Sequence, residues 1–350
     1  MKLISQRSIL MSRLLRATLL SGLLLVTLAV PVRAANDAVV FMYHRFGEAG
    51  QPATNIRLDQ FDAHLTELTS GRYTVLGLET LIDRLESGED LPDYAVGLSA
   101  DDAYRSVLTE AWPRLKKRGL PFTLFVATEP VEEGVPGYLT WAEISKLAAE
   151  GVTIGNQAHS HPHLPQLDEA AVAAEFKRSQ DLFEKHLGFR PRLIAYPYGE
   201  SSLRVQELAR EAGFTAGFGQ HSGAFNALYN RFDLPRFAMN EAYGDPDRAR
   251  LAARARALPV GGVTPADSLV AATNPPAIGF SLDVPVDRAE QLACYTSHAG
   301  KARIERLGDT RFEIRVDEAF PKGRTRVNCT LPAGDGRWYW FGRQFYRAPD

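Results

Sequence analysis

Ala95-Val96-Gly97-Leu98-Ser99-Ala100-Asp101-Asp102-Ala103-Tyr104 is the stretch on which the reading of the fold turns. The run from Ala95 to Ser99 is apolar or small and of strand length, and it ends abruptly in two adjacent carboxylates. Ionising both at close range is costly unless a cation sits between them or one keeps a proton. A helical pattern follows directly, so the run predicts a parallel strand that delivers its carboxylates at the C-terminal end.

The same alternation extends in both directions. Strands are predicted at Val39–His44, Tyr73–Leu76, Ala95–Ser99, Phe122–Val126, Val152–Ile154, Leu193–Tyr196 and Ala216–Phe218. Helices are predicted between them at 58–68, 79–87, 104–118, 141–150, 169–187 and 203–212, several of them stopped by a glycine. Strands separated by helices of this length imply parallel pairing through right-handed crossovers. About seven such strands suit a complete or distorted (β/α) barrel. Asp101, Asp102, His161 and Tyr198 then fall just beyond strand ends, where such a fold builds its active face.

Past residue 257 the pattern changes. Residues 258–276 are rich in Gly and Pro and read as a linker between a domain spanning 36–257 and a small β-sandwich-like domain at 277–350. In the latter, short runs such as the strictly alternating Arg311-Phe312-Glu313-Ile314-Arg315-Val316 predict antiparallel strands. Its Trp338-Tyr339-Trp340-Phe341 invites a sugar-stacking role, but aromatics of a small sandwich are expected to fill its core. The chain has only two cysteines, Cys294 and Cys329, both in this region. In an oxidising compartment they are expected to form a disulfide.

That compartment is suggested by residues 1–35, which read as a signal peptide. Lys2, Arg7, Arg13 and Arg16 precede the apolar run Ala17–Val30, and Val32-Arg33-Ala34 supplies small residues for cleavage. Export to the periplasm or beyond is the expectation, with no stable membrane span after cleavage. The 350 residues carry 40 Lys and Arg against 42 Asp and Glu, without a basic stripe, so nothing points to nucleic acid.

Just under sixty residues after the aspartates comes His159-Ser160-His161-Pro162-His163. A carboxylate and imidazoles delivered by separate strand ends make a site for a hydrolytic transition metal. Together with Phe41-Met42-Tyr43-His44-Arg45, Gly119–Val126, Leu139–Ile144 and Ala195-Tyr196-Pro197-Tyr198-Gly199-Glu200, these motifs resemble the polysaccharide deacetylases, carbohydrate esterase family 4, over roughly residues 38–240.

The resemblance implies a distorted (β/α) barrel and removal of acetyl groups from an N-acetylglucosamine-containing polysaccharide. It implies a divalent cofactor, zinc first, with nickel or cobalt as alternatives. Asp102 matches the family's metal aspartate and Asp101 its catalytic aspartate. The Tyr198 backbone N–H, following Pro197, would stabilise the oxyanion. Aligned by context, Ile154-Gly155-Asn156-Gln157 and His161-Pro162 put His161 at the second histidine ligand position and Gln157 at the first. A literal reading pairs His159 with His163, so which of Gln157, His159 and His163 completes the site stays open. Ala195 stands where many members carry an arginine that orients the catalytic aspartate. The usual late histidine acid has no clear counterpart; His221 is the candidate, and His44 is also placed to reach the site. A catalytically silent carbohydrate-binding protein on the same fold is the alternative, as is a hydrolase of another C–N bond.

Overall fold

The computed structural model describes residues 36–349, so the segment read as a signal peptide lies outside the described residues. The aspartate strand, Ala95–Ala100, sits near the middle of a curled parallel sheet. On one side it pairs in parallel with Ala38–Tyr43, residue for residue from Ala38↔Ala95 to Tyr43↔Ala100. On the other the order runs through Thr123–Val126, Thr153–Asn156 and Leu193–Ala195 to Ala216–Phe218. Ala224–Phe225 continues the sheet antiparallel to Ala38–Tyr43, and Phe237–Ala238 also pairs with that strand, in parallel. The expected distorted barrel of about seven strands is what the chain forms.

Burial explains why these strands read as continuous apolar runs rather than alternations. In Ala38–Tyr43 all six residues are buried. Val39, Phe41 and Tyr43 enter one core with Phe61, Leu65 and Trp112, whereas Ala38 and Val40 enter a second with Leu78, Leu81 and Phe218. Opposite faces of one strand thus feed two hydrophobic layers, each covered by helices.

Local detail departs from expectation in three places. The strand predicted at 73–76 shrinks to Thr74–Val75. The helix predicted at 104–118 is split into a π-turn, Val107–Ala111, and an α-helix, Trp112–Lys117. Pro113 lies at the start of that helix and has no N–H to give to a preceding turn, which favours a break there. The third departure lies in the stretch 258–276, read as a linker. It contains the strand Val260–Thr264, paired antiparallel with Ile278–Leu282.

That strand belongs to a sandwich of two sheets. One runs 260–264, 278–282, 311–315, 303–307; the other runs 256–257, 338–347, 323–332, 293–296, 300–301. Phe280, Phe312, Phe320, Phe341 and Phe345 fill the space between them. Cys294 and Cys329, opposite each other in register, form the expected disulfide. No helix among the described residues is long and apolar enough to cross a membrane.

The long strands Gly323–Pro332 and Trp338–Arg347 join the sandwich to the barrel. On the first, Thr325, Val327 and Cys329 are buried toward the sandwich, while Arg324, Arg326 and Asn328 alternate to the other face. Gly342, the register partner of Asn328, lies so close to the barrel that a Cβ there would stand 2.1 Å from the Ser222 carbonyl oxygen. A side chain at this position would push the two layers apart.

Candidate active site

Among the described residues, five of the seven non-glycine residues with positive φ are Asp102, Ala103, Ala158, His161 and Tyr198, and all five follow the C-terminal ends of barrel strands. Left-handed backbone disfavours a Cβ, and clustering of such residues marks a functional site. Gly199, at φ +69, closes the Pro197–Gly199 turn where a Cβ would meet the backbone nitrogen of Gln220 at 2.4 Å.

The two aspartates have different surroundings. Asp101 is fully buried, its N–H donating to the Tyr43 carbonyl and its carboxylate held by Arg236. Arg236 Nη1 donates to Oδ1 at 2.7 Å and Nη2 to Oδ2 at 2.8 Å. The same guanidinium donates through Nε to the Gly219 carbonyl at 3.0 Å. Arg236 therefore occupies the role left open by Ala195, and sequence reasoning missed it. The only trace is a lone cation in the apolar run Leu234-Pro235-Arg236-Phe237-Ala238-Met239, 135 residues from its partner.

Asp102 instead faces an open cleft, a cavity of about 1070 Å³ that is also lined by His44, His161 and Tyr198. Its Oδ1 lies 3.5 Å from His161 Nε2. The imidazole packs edge-on against the Tyr198 ring, with centroids 4.5 Å apart. Burial pushes the His161 pKa down, against the opposing pull of Asp102 and Asp101, a shift that favours the neutral ring. His161 Nε2 is buried and has no hydrogen-bond partner.

Two donors converging on one point, one of them an unsatisfied imidazole nitrogen, fit a divalent transition metal. The third position is weaker. Gln157 is fully buried, its Oε1 accepts the Asp102 N–H at 3.0 Å, and its Nε2 has no partner. Neither alternative histidine replaces it. His159 turns away, its Nδ1 paired with Thr128 Oγ1 at 2.9 Å and its Nε2 3.7 Å from Glu129. His163 pairs through Nδ1 with Glu200 Oε2 at 2.6 Å and stacks flat on Tyr198 at 4.4 Å. Among the described residues no group of three or more His, Cys, Asp or Glu is placed to hold a metal ion.

The structure brings His44 to the cleft but not His221. Gln220 and Ser222 line the cavity, whereas His221 between them is buried and does not line it. Its Nδ1 has no partner, and burial pushes its pKa down. Pro197 is buried beneath the turn that sets the backbone of Tyr198. Trp340, expected in the sandwich core, lines the cleft and packs edge-on against Phe237 of the barrel at 5.1 Å.

Residues 88–217 match the family model described as polysaccharide deacetylase. Over that stretch the chain is similar to polysaccharide deacetylases. Among curated relatives, a putative polysaccharide deacetylase, YxkH, of Bacillus subtilis (strain 168) is 24% identical over 197 residues, covering 56% of this chain and 69% of that one. A poly-beta-1,6-N-acetyl-D-glucosamine N-deacetylase of Staphylococcus aureus (strain MSSA476) is 23% identical over 225 residues, covering 60% and 76%. Among solved structures, IcaB from Ammonifex degensii superposes with a TM-score of 0.56 at 25% identity, covering 63% of this chain and 98% of that one. The Streptococcus pyogenes deacetylase PplD in complex with acetate shares the fold, with a TM-score of 0.57 at 24% identity and coverage of 61% and 96%.

Proposed function

We propose that this protein is an exported hydrolase that removes N-acetyl groups from an N-acetylglucosamine-containing polysaccharide, using a divalent cation, zinc first. The carrying observation is the pairing of Asp102 Oδ1 with an unsatisfied His161 Nε2 on an open cleft, with the Arg236-clamped Asp101 directly beside it in the chain. The Staphylococcus aureus relative's name supports the substrate class. The disulfide and the signal-like residues 1–35 support export.

In this reading Asp102 and His161 hold the cation, with the Gln157 amide beside them. When bound, the cation polarises the amide carbonyl and acidifies a water. Asp101 takes a proton from the attacking water. Arg236 occupies both of its oxygens from one side, fixing the plane in which the remaining lone pairs receive that proton. The left-handed backbone of Tyr198 aims its N–H at the developing oxyanion. His44 donates a proton to the departing amine. Apart from His161, it is the only histidine lining the cleft among the described residues.

Acetate release from N-acetylglucosamine oligomers, with zinc, nickel or cobalt supplied to the full chain, tests the proposal. A folded protein that releases none with any of the three metals overturns it. The alternative of a silent carbohydrate binder is favoured by one observation, Gln157 at a ligand position. It predicts oligomer binding with neither acetate release nor tight divalent binding.

A further inference from the structure

The sandwich supplies one wall of the cleft, and that wall is cationic. Arg324, Arg326 and Asn328, two residues apart on one strand, all line the cavity, as does Trp340 on the neighbouring strand. Arg324 Nη1 donates to the Tyr198 carbonyl at 3.2 Å, and its guanidinium lies 5.7 Å from the Tyr198 ring. One aromatic ring therefore separates it from His161.

Charge around the cleft is not balanced. Among the described residues Arg324 has one carboxylate within 4 Å, Glu200 at 3.6 Å, which His163 already engages. Arg326 donates through Nε to the neutral Gln344 at 3.0 Å and has no carboxylate within 4 Å among the described residues. Arg248, also on the lining, spends Nη1 on the carbonyls of Ala238 and Tyr243 and likewise has no carboxylate partner among them. Against these three guanidiniums the lining offers one carboxylate, Asp102, which is reserved for the cation. Burial, and after it the neighbouring Arg324 guanidinium, press the Arg326 pKa down, a cost that an incoming anion would relieve.

A neutral chain of N-acetylglucosamine makes no use of such a wall, and the ammonium that deacetylation creates is repelled by it. We infer that the substrate is an acidic polysaccharide, bearing a carboxylate or phosphate on a sugar next to the N-acetylated one, and that Arg326 and Arg324 bind this anionic group. The inference rests on the deacetylase reading and adds the substrate's charge to it.

Calorimetric binding to the full chain tests it with three probes of similar length. These are a neutral N-acetylglucosamine hexamer, a hexasaccharide alternating glucuronic acid with N-acetylglucosamine, and an oligomer of N-acetylglucosamine 1-phosphate. At least one acidic probe is expected to bind roughly tenfold tighter than the neutral hexamer, the scale of one charge-assisted hydrogen bond. Which of the two does so separates carboxylate from phosphate. The preference shrinks as salt is raised, because the wall is open to solvent. Arg326→Gln brings the ratio of the affinities toward one, and Arg326→Lys restores part of it, which a general loss of fold would not do. Equal binding of all three probes, or a ratio that Arg326→Gln leaves untouched, overturns the inference. Acetate release from the neutral hexamer in that case would leave the deacetylase proposal standing, so the two failures are distinguishable.

Discussion

Arg236 grips Asp101 with both terminal nitrogens, at 2.7 and 2.8 Å, and neither side chain reaches solvent. Removing one partner of such a pair leaves a bare charge in the interior, at a cost of about 3–5 kcal/mol, whereas replacing both by apolar groups is often neutral. Arg236→Met is therefore expected to lower the unfolding free energy by about that amount and to abolish acetate release. The double variant Asp101→Leu with Arg236→Met is expected to recover most of the stability and none of the activity. Urea unfolding together with an acetate assay checks both. A double variant as unstable as the single one would show that the pair is not coupled as described.

The metal proposal makes a prediction independent of turnover. Asp102→Asn and His161→Ala each remove one of two good donors, and either is expected to eliminate tight zinc binding in a titration. Gln157→His is expected to strengthen it, since imidazole is a better zinc donor than an amide. Treatment with a chelator is expected to stop acetate release, and zinc to restore it. Unchanged zinc affinity in the His161→Ala variant would place the cation elsewhere.

Much of this site was legible because its parts are local in the chain. Ala95–Ala100 is a strand with its carboxylates where expected, and the helix read at 58–68 is found at Leu58–Leu68. Asp102, His161 and Tyr198 follow barrel strand ends, so the strand pattern alone brings them to one face. What the chain conceals is what arrives from a distance. Arg236 reaches Asp101 from a segment with no motif of its own, and Arg324 reaches Tyr198 across 126 residues. His221 stands off the cleft lining for a different reason. It falls in a bend at 220–221, where side-chain direction cannot be read from strand alternation, and Gln220 and Ser222 line the cleft. Trp340 faces the barrel because its strand is covered on both faces, which alternation within a single strand cannot disclose.

Histidine burial predicts the direction of the pH dependence of stability. His64 is buried, paired with the Tyr43 hydroxyl at 3.0 Å and the Gly244 carbonyl at 2.9 Å, and burial pushes its pKa below the ordinary 6.5. His221 shifts the same way for the same reason. Between those lowered values and 6.5 the unfolded chain binds more protons than the folded one, so stability falls as pH drops below about 6.5. The slope is at most about 1.4 kcal/mol per pH unit for each histidine. Asp37 and Glu200, whose carboxyls burial pushes up, act in the opposite sense, in a window that starts from the lower, carboxylate range. Unfolding midpoints that stay level between pH 7.5 and 5.5 would contradict this, and His64→Gln is expected to flatten the profile.

The disulfide joins Cys294 and Cys329 across 35 residues, with both sulfurs in the buried heart of the sandwich. Closing a loop of that length in the unfolded chain is worth about 3–4 kcal/mol in the chain-entropy account. Reduction, or Cys294→Ser with Cys329→Ser, is expected to lower the unfolding midpoint and to weaken oligosaccharide binding, because Arg324 and Arg326 project from the strand that carries Cys329. Zinc binding, which depends on barrel residues, is expected to persist at temperatures where the sandwich of the reduced protein has already unfolded. Loss of zinc and glycan binding together, at one and the same midpoint, would show that barrel and sandwich unfold as a unit.

Gly342 offers the cleanest separation of cleft geometry from chemistry. A Cβ there would stand 2.1 Å from the Ser222 carbonyl oxygen, which is backbone and cannot swing aside. Gly342→Val must therefore lift the strand Trp338–Arg347 off the barrel, at about 1–3 kcal/mol for an overpacked site. The displacement would carry Trp340 and, through the paired strand, Arg326 away from the cleft, while Asp101, Asp102 and His161 keep their places on the barrel strands. The expected result is a raised KM for oligosaccharide with a smaller change in kcat, because the sandwich wall binds substrate and the barrel carries the reacting groups. A fall in kcat at unchanged KM would mean that the sandwich positions the catalytic groups themselves, through Gln344 Nε2 and Arg324 on the Tyr198 carbonyl.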